Sequence, residues 1–279
     1  MGVEIYFWRP RHIIGAGLAK YSRGYRTRFH PRASGLTNFG DELGPWIIAR
    51  ILENAGIGFP KQQFFSSRPA FFSVGSVTHV ARNNDIIWGS GALGGIKPAL
   101  GTGVRKLDIH ALRGPLTRDL LISQHGFEPF TVPTGDPAIL VPILFPELQK
   151  IQGSTGTLLL PHMDDPTDMP QAVRMGFDFA HATDPFLDVV ARIAGAEKVI
   201  TSSLHGKILA DAFGVPSVVY QGPTTKPFKF EDYALGTSQK VFEIAASLEL
   251  ASSMQPSNVP DLQDVASKLL ASFPMEYFE

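Results

Sequence analysis

Residues 200–220, ITSSLHGKILADAFGVPSVVY, decide the fold class of this 279-residue chain. An apolar run ends in two serines, a stretch of helical character follows a lone histidine, and a second apolar run completes the stretch. Continuous apolar runs are typical of parallel strands that are covered on both faces. The stretch therefore predicts a strand, a helix and a second parallel strand joined by a right-handed crossover.

The same alternation extends along the rest of the chain. The predicted strands are EIYFW (4–8), AFFSVGS (70–76), DIIWGSG (85–91), TLLLPH (157–162), KVITSS (198–203) and PSVVY (216–220). The predicted helices are Asp41–Asn54, Pro115–His125, Pro185–Ala194, His205–Phe213 and Asp261–Ser272. Asp41 and Asp184 are predicted N-caps because a short carboxylate can accept from the free N–H groups of a first turn.

A proline-rich segment, Pro133–Gly156, separates two sets of these elements. We therefore predict an α/β fold with two Rossmann-like halves facing a cleft. Residues 1–140 form the N-terminal half, and residues 141–279, which include a C-terminal helix, form the other. A single sheet with a long insertion is the alternative.

Composition narrows the possible functions. The chain has no cysteine, which excludes disulfides, thiolate metal sites and cysteine nucleophiles. Its formal net charge of -1 gives no global attraction to nucleic acid. The longest apolar stretches are interrupted by proline, and the first ten residues lack the pattern of a signal peptide. We therefore expect a cytoplasmic protein.

Polar side chains gather at the predicted strand-to-helix junction of the opening stretch. Ser202, Ser203 and His205 follow a strand, and open α/β sheets bind ligands at the carboxyl ends of their strands. The N–H groups of the next helix attract anions there. Lys207 follows one turn later, and QGPTTKPFKFEDY (221–233), predicted as a loop at the same edge, adds Lys226 and Lys229. These residues indicate an acidic small-molecule ligand, although His205 could instead cap the helix.

Two other motifs have weaker functional interpretations. GSGALG (89–94) fits the dinucleotide-binding pattern GxGxxG, but a poor helix follows it and no acidic residue lies about twenty positions on, so we expect no nicotinamide cofactor. PHMDDPTD (161–168) is predicted to be a solvated turn. The histidines are scattered, and we expect no metal site.

Six motifs, in order, resemble the polysaccharide pyruvyl transferase family. They are NFGDELGPW (38–46), GSG (89–91), ALRGPLTRDLL (111–121), GDPAIL (135–140), SSLHGKILADAFGVPSV (202–218) and FKFEDY (228–233). The resemblance implies transfer of the enolpyruvyl unit of phosphoenolpyruvate to sugar hydroxyls as a ketal, without a further cofactor. It also implies a GT-B-like arrangement of the two halves. The SSLHG form is similar to the succinoglycan-type branch, which implies an exopolysaccharide precursor as acceptor.

The resemblance also implies roles for individual residues. His205 carries over as the general acid, Asp41 or Asp136 is the candidate base, and Arg113 matches a donor-binding arginine. Ser203 stands where other members have a second arginine, and the three lysines could replace its charge. The predicted donor-binding residues are Arg113, Ser202, Ser203, Leu204, Lys207, Lys226 and Lys229. The predicted acceptor-binding residues are Asn38, Gly40, Gly89, Ser90 and Gly91. Structural alternatives are a helix cap for Asp41, a turn for Asp136 and a surface position for Arg113.

The segment 9–32 concentrates positive charge. It contains Arg9, Arg11, Lys20, Arg23, Arg26, Arg28 and Arg32 and no acidic residue. Aromatic side chains recur among these cations, a pattern suited to an anionic membrane surface. We predict peripheral contact with the inner membrane face, where a lipid-linked oligosaccharide would be the acceptor; a solvated basic loop is the alternative. A glycosyltransferase using a nucleotide sugar, or a non-catalytic carbohydrate-binding module, could occupy the same fold.

Overall fold

A computed structural model of the protein describes residues 3–6, 38–60, 69–95, 98–150, 156–167 and 169–279. The first part of the chain forms a parallel sheet in the order β1-β2-β3-β4. Its strands are β1 (Glu4–Tyr6), β2 (Ala70–Phe72), β3 (Ile86–Trp88) and β4 (Asp108–Ala111). Its helices are α1 (Phe39–Asn54) and α2 (Pro115–His125), and the short helix α3 (Val141–Leu144) follows them.

The second part of the chain forms another parallel sheet, in the order β6-β5-β7-β8-β9. Its strands are β5 (Thr157–Leu160), β6 (Asp178–Phe179), β7 (Lys198–Thr201), β8 (Ser217–Tyr220) and β9 (Ile244–Ala245). The helices are α4 (Met169–Arg174), α5 (Phe186–Gly195), α6 (Leu204–Ala212), α7 (Pro227–Gly236), α8 (Leu248–Ser253) and α9 (Gln263–Ala271). The strand order reverses between β5 and β7, which creates the crevice where such sheets bind ligands.

These two sheets confirm the α/β prediction and are compatible with Rossmann-like halves. The opening stretch forms β7, α6 and β8 as predicted, with β7 and β8 parallel. The GT-B-like arrangement stays a prediction. Most of the predicted strands are shorter in the structure because polar and glycine residues at their carboxyl ends leave the sheet. Serine and glycine follow β2, for example, in a turn at residues 73–76.

The two predicted aspartate caps are wrong. Helix α1 begins earlier than predicted, and the Asn38 side-chain oxygen accepts from the Gly40 N–H at 2.9 Å. Asp41 therefore lies inside the first turn. Asp184 accepts from the His181 N–H at 2.8 Å, and Pro185 occupies the N-cap position of α5.

The loop predicted for residues 221–233 is also wrong in part. Its second half is the start of α7, with Pro227 in the first turn and Lys226 as the N-cap residue. Proline suits a first helical turn because its fixed φ is helical and the N–H it lacks would have no intrahelical partner. The helix places Lys229 and Asp232 on a rigid element instead of a loop.

One hydrophobic core joins the two sheets. It includes Ile5 from β1, Ile47 from α1, Leu158 from β5 and Ile208 from α6. The segment 137–142, within the predicted boundary region, is buried in this core and does not form an exposed linker. Helix α9 returns to the first sheet, where the Trp88 indole N–H donates to the carbonyl of Leu269 at 3.0 Å. In the part of the chain described, no helix has the length and apolar character needed to cross a membrane.

Candidate active site

A histidine and an aspartate from opposite halves of the chain face each other at the crevice. His205 lies in the first turn of α6, directly after β7, and Asp136 precedes the 3-10 turn 137–140. His205 Nε2 and Asp136 Oδ2 are 3.8 Å apart, and neither atom has a hydrogen-bond partner. The Asp136 side chain is fully buried, and that of His205 is 12% exposed. Unpartnered buried polar atoms are rare in proteins, and this pair therefore indicates a binding or reaction site.

Burial controls the protonation of this pair. It raises the pKa of Asp136 to about 6, against the opposing effects of the Ala138 N–H, the Arg113 charge and the Gly75 N–H. It lowers the pKa of His205 to about 3, helped by the positive charges of Lys229 and Arg113. At neutral pH the imidazole is therefore neutral, and it can carry a proton only when a change in its environment raises its pKa.

A second acid–base pair lies beside the first. Burial raises the pKa of Asp41 to about 7, Glu42 adds to this rise, and Lys229 opposes it. Burial also lowers the pKa of Lys229 to about 8, with a further contribution from the Arg113 charge. Both values lie close to neutrality, where a group can exchange protons in either direction. Asp41 comes from α1 and Lys229 from α7, so both halves again contribute.

Lys229 is the cation on which these effects converge. Its charge shifts the pKa values of Asp41, His205 and His162. Its side chain is buried, and within the described ranges no group forms an ion pair or hydrogen bond with its ammonium nitrogen. Asp41 and Asp164 act on its charge without forming an ion pair within the described ranges, and a buried cation in this state indicates that the crevice takes an anionic ligand.

The imidazole of His205 is held by close contact with α1. A Cβ atom at Gly40 would lie 2.0 Å from His205 Nδ1, so only glycine allows this approach. The predicted acceptor residue Gly40 therefore also fixes the position of His205. Asn38, another predicted acceptor residue, caps the same helix turn.

We expect Gly40→Ala to lower turnover by at least about tenfold while the protein still folds. The added methyl group must displace the His205 ring from Asp136, whereas alanine itself favours a helix by about 1 kcal/mol over glycine. Steady-state assays together with thermal unfolding test this. Gly58→Ala is the matched control, because its Cβ would meet no atom within 4 Å. Normal turnover of Gly40→Ala would contradict the contact.

Arg113 is fully buried, and its guanidinium group forms hydrogen bonds with other residues of the protein. Its Nε donates to Asp232 Oδ2 at 3.0 Å, one terminal nitrogen donates to Ser76 Oγ at 2.5 Å and the other to the Ala92 carbonyl at 2.7 Å. The surface position considered for Arg113 is therefore wrong. Its charge acts on the crevice, while the donor-binding role stays a prediction.

The serines at the end of β7 have different environments. The Ser202 hydroxyl donates to Asp165 Oδ2 at 2.8 Å and accepts from the His162 N–H at 2.8 Å. Ser203 is the buried N-cap residue of α6, and its hydroxyl makes no capping hydrogen bond. Leu204 begins the helix and is buried. This leaves the first turn of α6, rather than Ser202, to face a ligand.

Lys207 lies apart from the other predicted donor-binding residues. Its ammonium nitrogen donates to Asp211 at 2.6 Å, to Ser257 at 2.9 Å and to Ser217 at 3.2 Å. Ser217 is the first residue of β8, so Lys207 points to the edge of the sheet opposite the crevice. Lys207 follows His205 by two residues, about half a helical turn, so its side chain lies on the opposite side of α6 from the ligand.

The glycine-rich end of β3 supports the site by close packing. A Cβ atom at Gly89 would lie 2.2 Å from the Pro137 ring, and one at Gly91 would lie 2.4 Å from the Arg113 guanidinium carbon. The Ser90 hydroxyl donates to the Ser73 carbonyl at 3.1 Å. These contacts place the residues beside Asp136 and Arg113, and their acceptor-binding role stays a prediction.

Two residues of the site were missed by sequence reasoning. The segment 161–168 is not simply a solvated turn, because Asp165 is buried and accepts from Ser202 and from the Tyr220 hydroxyl at 2.9 Å. His162 lies beside it at the end of β5. The available signal was position: a histidine at the carboxyl end of a predicted parallel strand should reach the ligand edge. Within the described ranges, no group of three or more acidic or histidine side chains could hold a metal ion.

Comparisons with known proteins agree with the motifs. The family description Polysaccharide pyruvyl transferase matches residues 38–221. Succinoglycan biosynthesis protein ExoV of Rhizobium meliloti (strain 1021) is 28% identical over 205 residues, which cover 71% of this chain and 60% of that protein. An uncharacterized protein of Acanthamoeba polyphaga mimivirus is 24% identical over 209 residues, covering 70% of this chain and 69% of the viral protein. The matched region contains Asp41, Arg113, Asp136 and His205, and this chain belongs to the polysaccharide pyruvyl transferase family.

Proposed function

We propose that the protein transfers the enolpyruvyl unit of phosphoenolpyruvate to a sugar of an exopolysaccharide precursor and forms a pyruvate ketal. The observation that carries this proposal is the unpartnered pair of His205 Nε2 and Asp136 Oδ2, which lies beside Lys229, a buried cation that forms no ion pair in the described part of the chain. A proton-exchanging pair next to a buried positive charge suits a substrate that is anionic and must be protonated.

The donor fits the charges of the crevice. Phosphoenolpyruvate carries a phosphate and a carboxylate, which are stabilised by cations and by the N–H groups of a helix start. Lys229, Lys226 and the first turn of α6 supply these groups. Arg113 adds positive potential from its buried position, because its charge lowers the pKa values of His205 and Lys229.

Ketal formation requires proton transfers that the site can perform. A proton adds to the methylene carbon, and a sugar hydroxyl adds to the adjacent carbon while losing its own proton. The bond from that carbon to the phosphate oxygen then breaks, phosphate leaves, and a second hydroxyl adds to the same carbon and loses its proton. His205 delivers the first proton once the bound anion raises its pKa, with Asp136 stabilising the imidazolium. Asp41 accepts the proton of an attacking hydroxyl.

Release of inorganic phosphate tests the proposal. We expect phosphate to form from phosphoenolpyruvate only when an acceptor oligosaccharide is present, and mass spectrometry should show the acceptor with one pyruvate ketal. Release of a nucleotide from a nucleotide sugar would replace the proposal with glycosyl transfer. Neither product, with carbohydrate binding retained, would indicate a non-catalytic module.

The finer architecture and location form part of the same proposal. We assign residues 1–140 to the acceptor side and residues 141–279 to the donor side of a GT-B-like arrangement in a cytoplasmic enzyme. The basic segment 9–32 lies outside the described residues. We propose that it brings the enzyme to a lipid-linked acceptor at the inner membrane face, since each basic residue near an anionic surface contributes about 1 kcal/mol.

We expect the affinity for phosphoenolpyruvate to fall as pH rises above about 8. The pKa of Lys229 is lowered to about 8, so the free protein loses this positive charge above that pH, whereas the bound anion favours the charged form. Calorimetric titration at pH 7 and pH 9 measures the effect. Lys229→Arg should lose less affinity between these values, because arginine stays protonated and the ionisation of Asp41, whose pKa is about 7, is then the remaining change. A pH-independent affinity in the unaltered protein would contradict the role of Lys229.

A further inference from the structure

His162 follows β5, the strand next to β7, at the point where the strand order reverses. It follows β5 by two residues, and its N–H donates to the Ser202 hydroxyl at the end of β7 at 2.8 Å. Its side chain is 20% exposed. The histidine is therefore fixed at the ligand edge of the sheet and not on an exposed loop.

Hydrogen bonds to one ring nitrogen define the tautomer of His162. The Asp164 N–H lies 3.2 Å from Nδ1 and can only donate, so Nδ1 accepts and carries no proton. Thr224 Oγ1 lies 3.2 Å from the same atom, and the Asp164 carboxylate is farther away at 3.6 Å. In the neutral ring the proton is consequently on Nε2.

The protonated nitrogen has no acceptor in the described part of the chain. The hydrogen bonds and the ion-pair contact of the ring all involve Nδ1. The charged groups near the ring are Lys229, which, after burial, lowers the pKa of His162, and Asp164 and Asp165, which act in the opposite direction. His162 in turn contributes to the lowered pKa of His205. An N–H donor beside a buried cation is suited to an anionic oxygen.

We infer that His162 binds the donor, with Nε2–H donating to an oxygen of its phosphate or carboxylate group. This inference rests on the proposed function, since it assigns one more residue to the same anion site. It gives Lys229 and the first turn of α6 a partner on the other side of the crevice.

Two substitutions separate this role from a structural one. In His162→Asn the side-chain oxygen replaces Nδ1 and still accepts from the Asp164 N–H, but the distal donor is lost. In His162→Gln the amide nitrogen reaches the place of Nε2, so the distal donor remains. Calorimetric titration with phosphoenolpyruvate compares both variants with the unaltered protein, and thermal unfolding checks that each is folded.

We expect the dissociation constant to rise about tenfold or more in His162→Asn, the loss typical of one hydrogen bond to a charged group, and by less than about threefold in His162→Gln. Unchanged affinity in His162→Asn would overturn the inference. Equal losses in both variants would also overturn it, because they would show that the ring only supports the loop. If the unaltered protein does not bind phosphoenolpyruvate, the proposed function fails and the inference fails with it.

Discussion

Arg113→Ala is expected to lower the free energy of unfolding by about 3–5 kcal/mol, the cost of removing one partner of a buried ion pair. The Asp232 carboxylate is fully buried and accepts from Arg113 Nε at 3.0 Å, and Arg113 is fully buried as well. Without the guanidinium, the hydroxyl and N–H of Thr117 are the hydrogen-bond donors that remain to the carboxylate among the described residues. Urea unfolding followed by circular dichroism measures the loss.

Arg118→Ala is the control for this measurement. Arg118 lies one helical turn into α2 and pairs with Asp119 at the exposed surface, so its replacement should cost less than about 0.5 kcal/mol. If Arg113→Ala has the same free energy of unfolding as the unaltered protein but no longer binds phosphoenolpyruvate, Arg113 is a donor-binding residue. Its ion pair with Asp232 then does not stabilise the fold. The two interpretations thus predict different measurable losses.

His205→Ala is expected to lower turnover by about 10²-fold or more, the usual contribution of a positioned general acid. The protein should remain folded, because the substitution removes a buried nitrogen that has no hydrogen-bond partner. Phosphate release under saturating donor and acceptor measures the effect. His125→Ala is the control for the loss of a histidine that has a structural role. His125 ends α2, and its ring accepts from the Leu100 N–H.

A double variant tests whether His205 and Asp136 act together. If they share one proton transfer, Asp136→Asn added to His205→Ala should lower turnover little further, because groups that act as a unit are non-additive. Near-normal turnover of His205→Ala would remove His205 from the chemistry. Multiplied losses would mean that Asp136 has a separate role.

The fold was predictable where apolar runs are long enough. Strands β7 and β8 and helix α2 were found because their patterns are continuous or bounded by proline. Strands β6 and β9 have two residues each and leave no periodic signal. Helix α7 was missed because the polar residues before Pro227 resemble a loop, although the proline itself is typical of a helix start.

The candidate site was predictable in residue type but not in environment. The motifs supplied His205, Asp136, Asp41 and Lys229, and their common position at the carboxyl ends of parallel strands follows from the fold class. Lys207 could have been separated from Lys229 by sequence, because Asp211 lies four residues later in the same predicted helix, which is the spacing of an intrahelical ion pair. The counter-ion of Arg113 was not predictable in this way, because Asp232 comes from α7, a distant element in the sequence.

The hydrophobic core shared by both sheets restricts which parts of this protein can be exchanged during evolution. Phe39 N–H donates to the Ala182 carbonyl at 2.9 Å, and α9 ends against the first sheet, so each half is completed by residues of the other. The halves are therefore not interchangeable modules. A new acceptor preference must arise by substitutions that fit the existing partner half, because a transplanted half would lack the surface on which it folds.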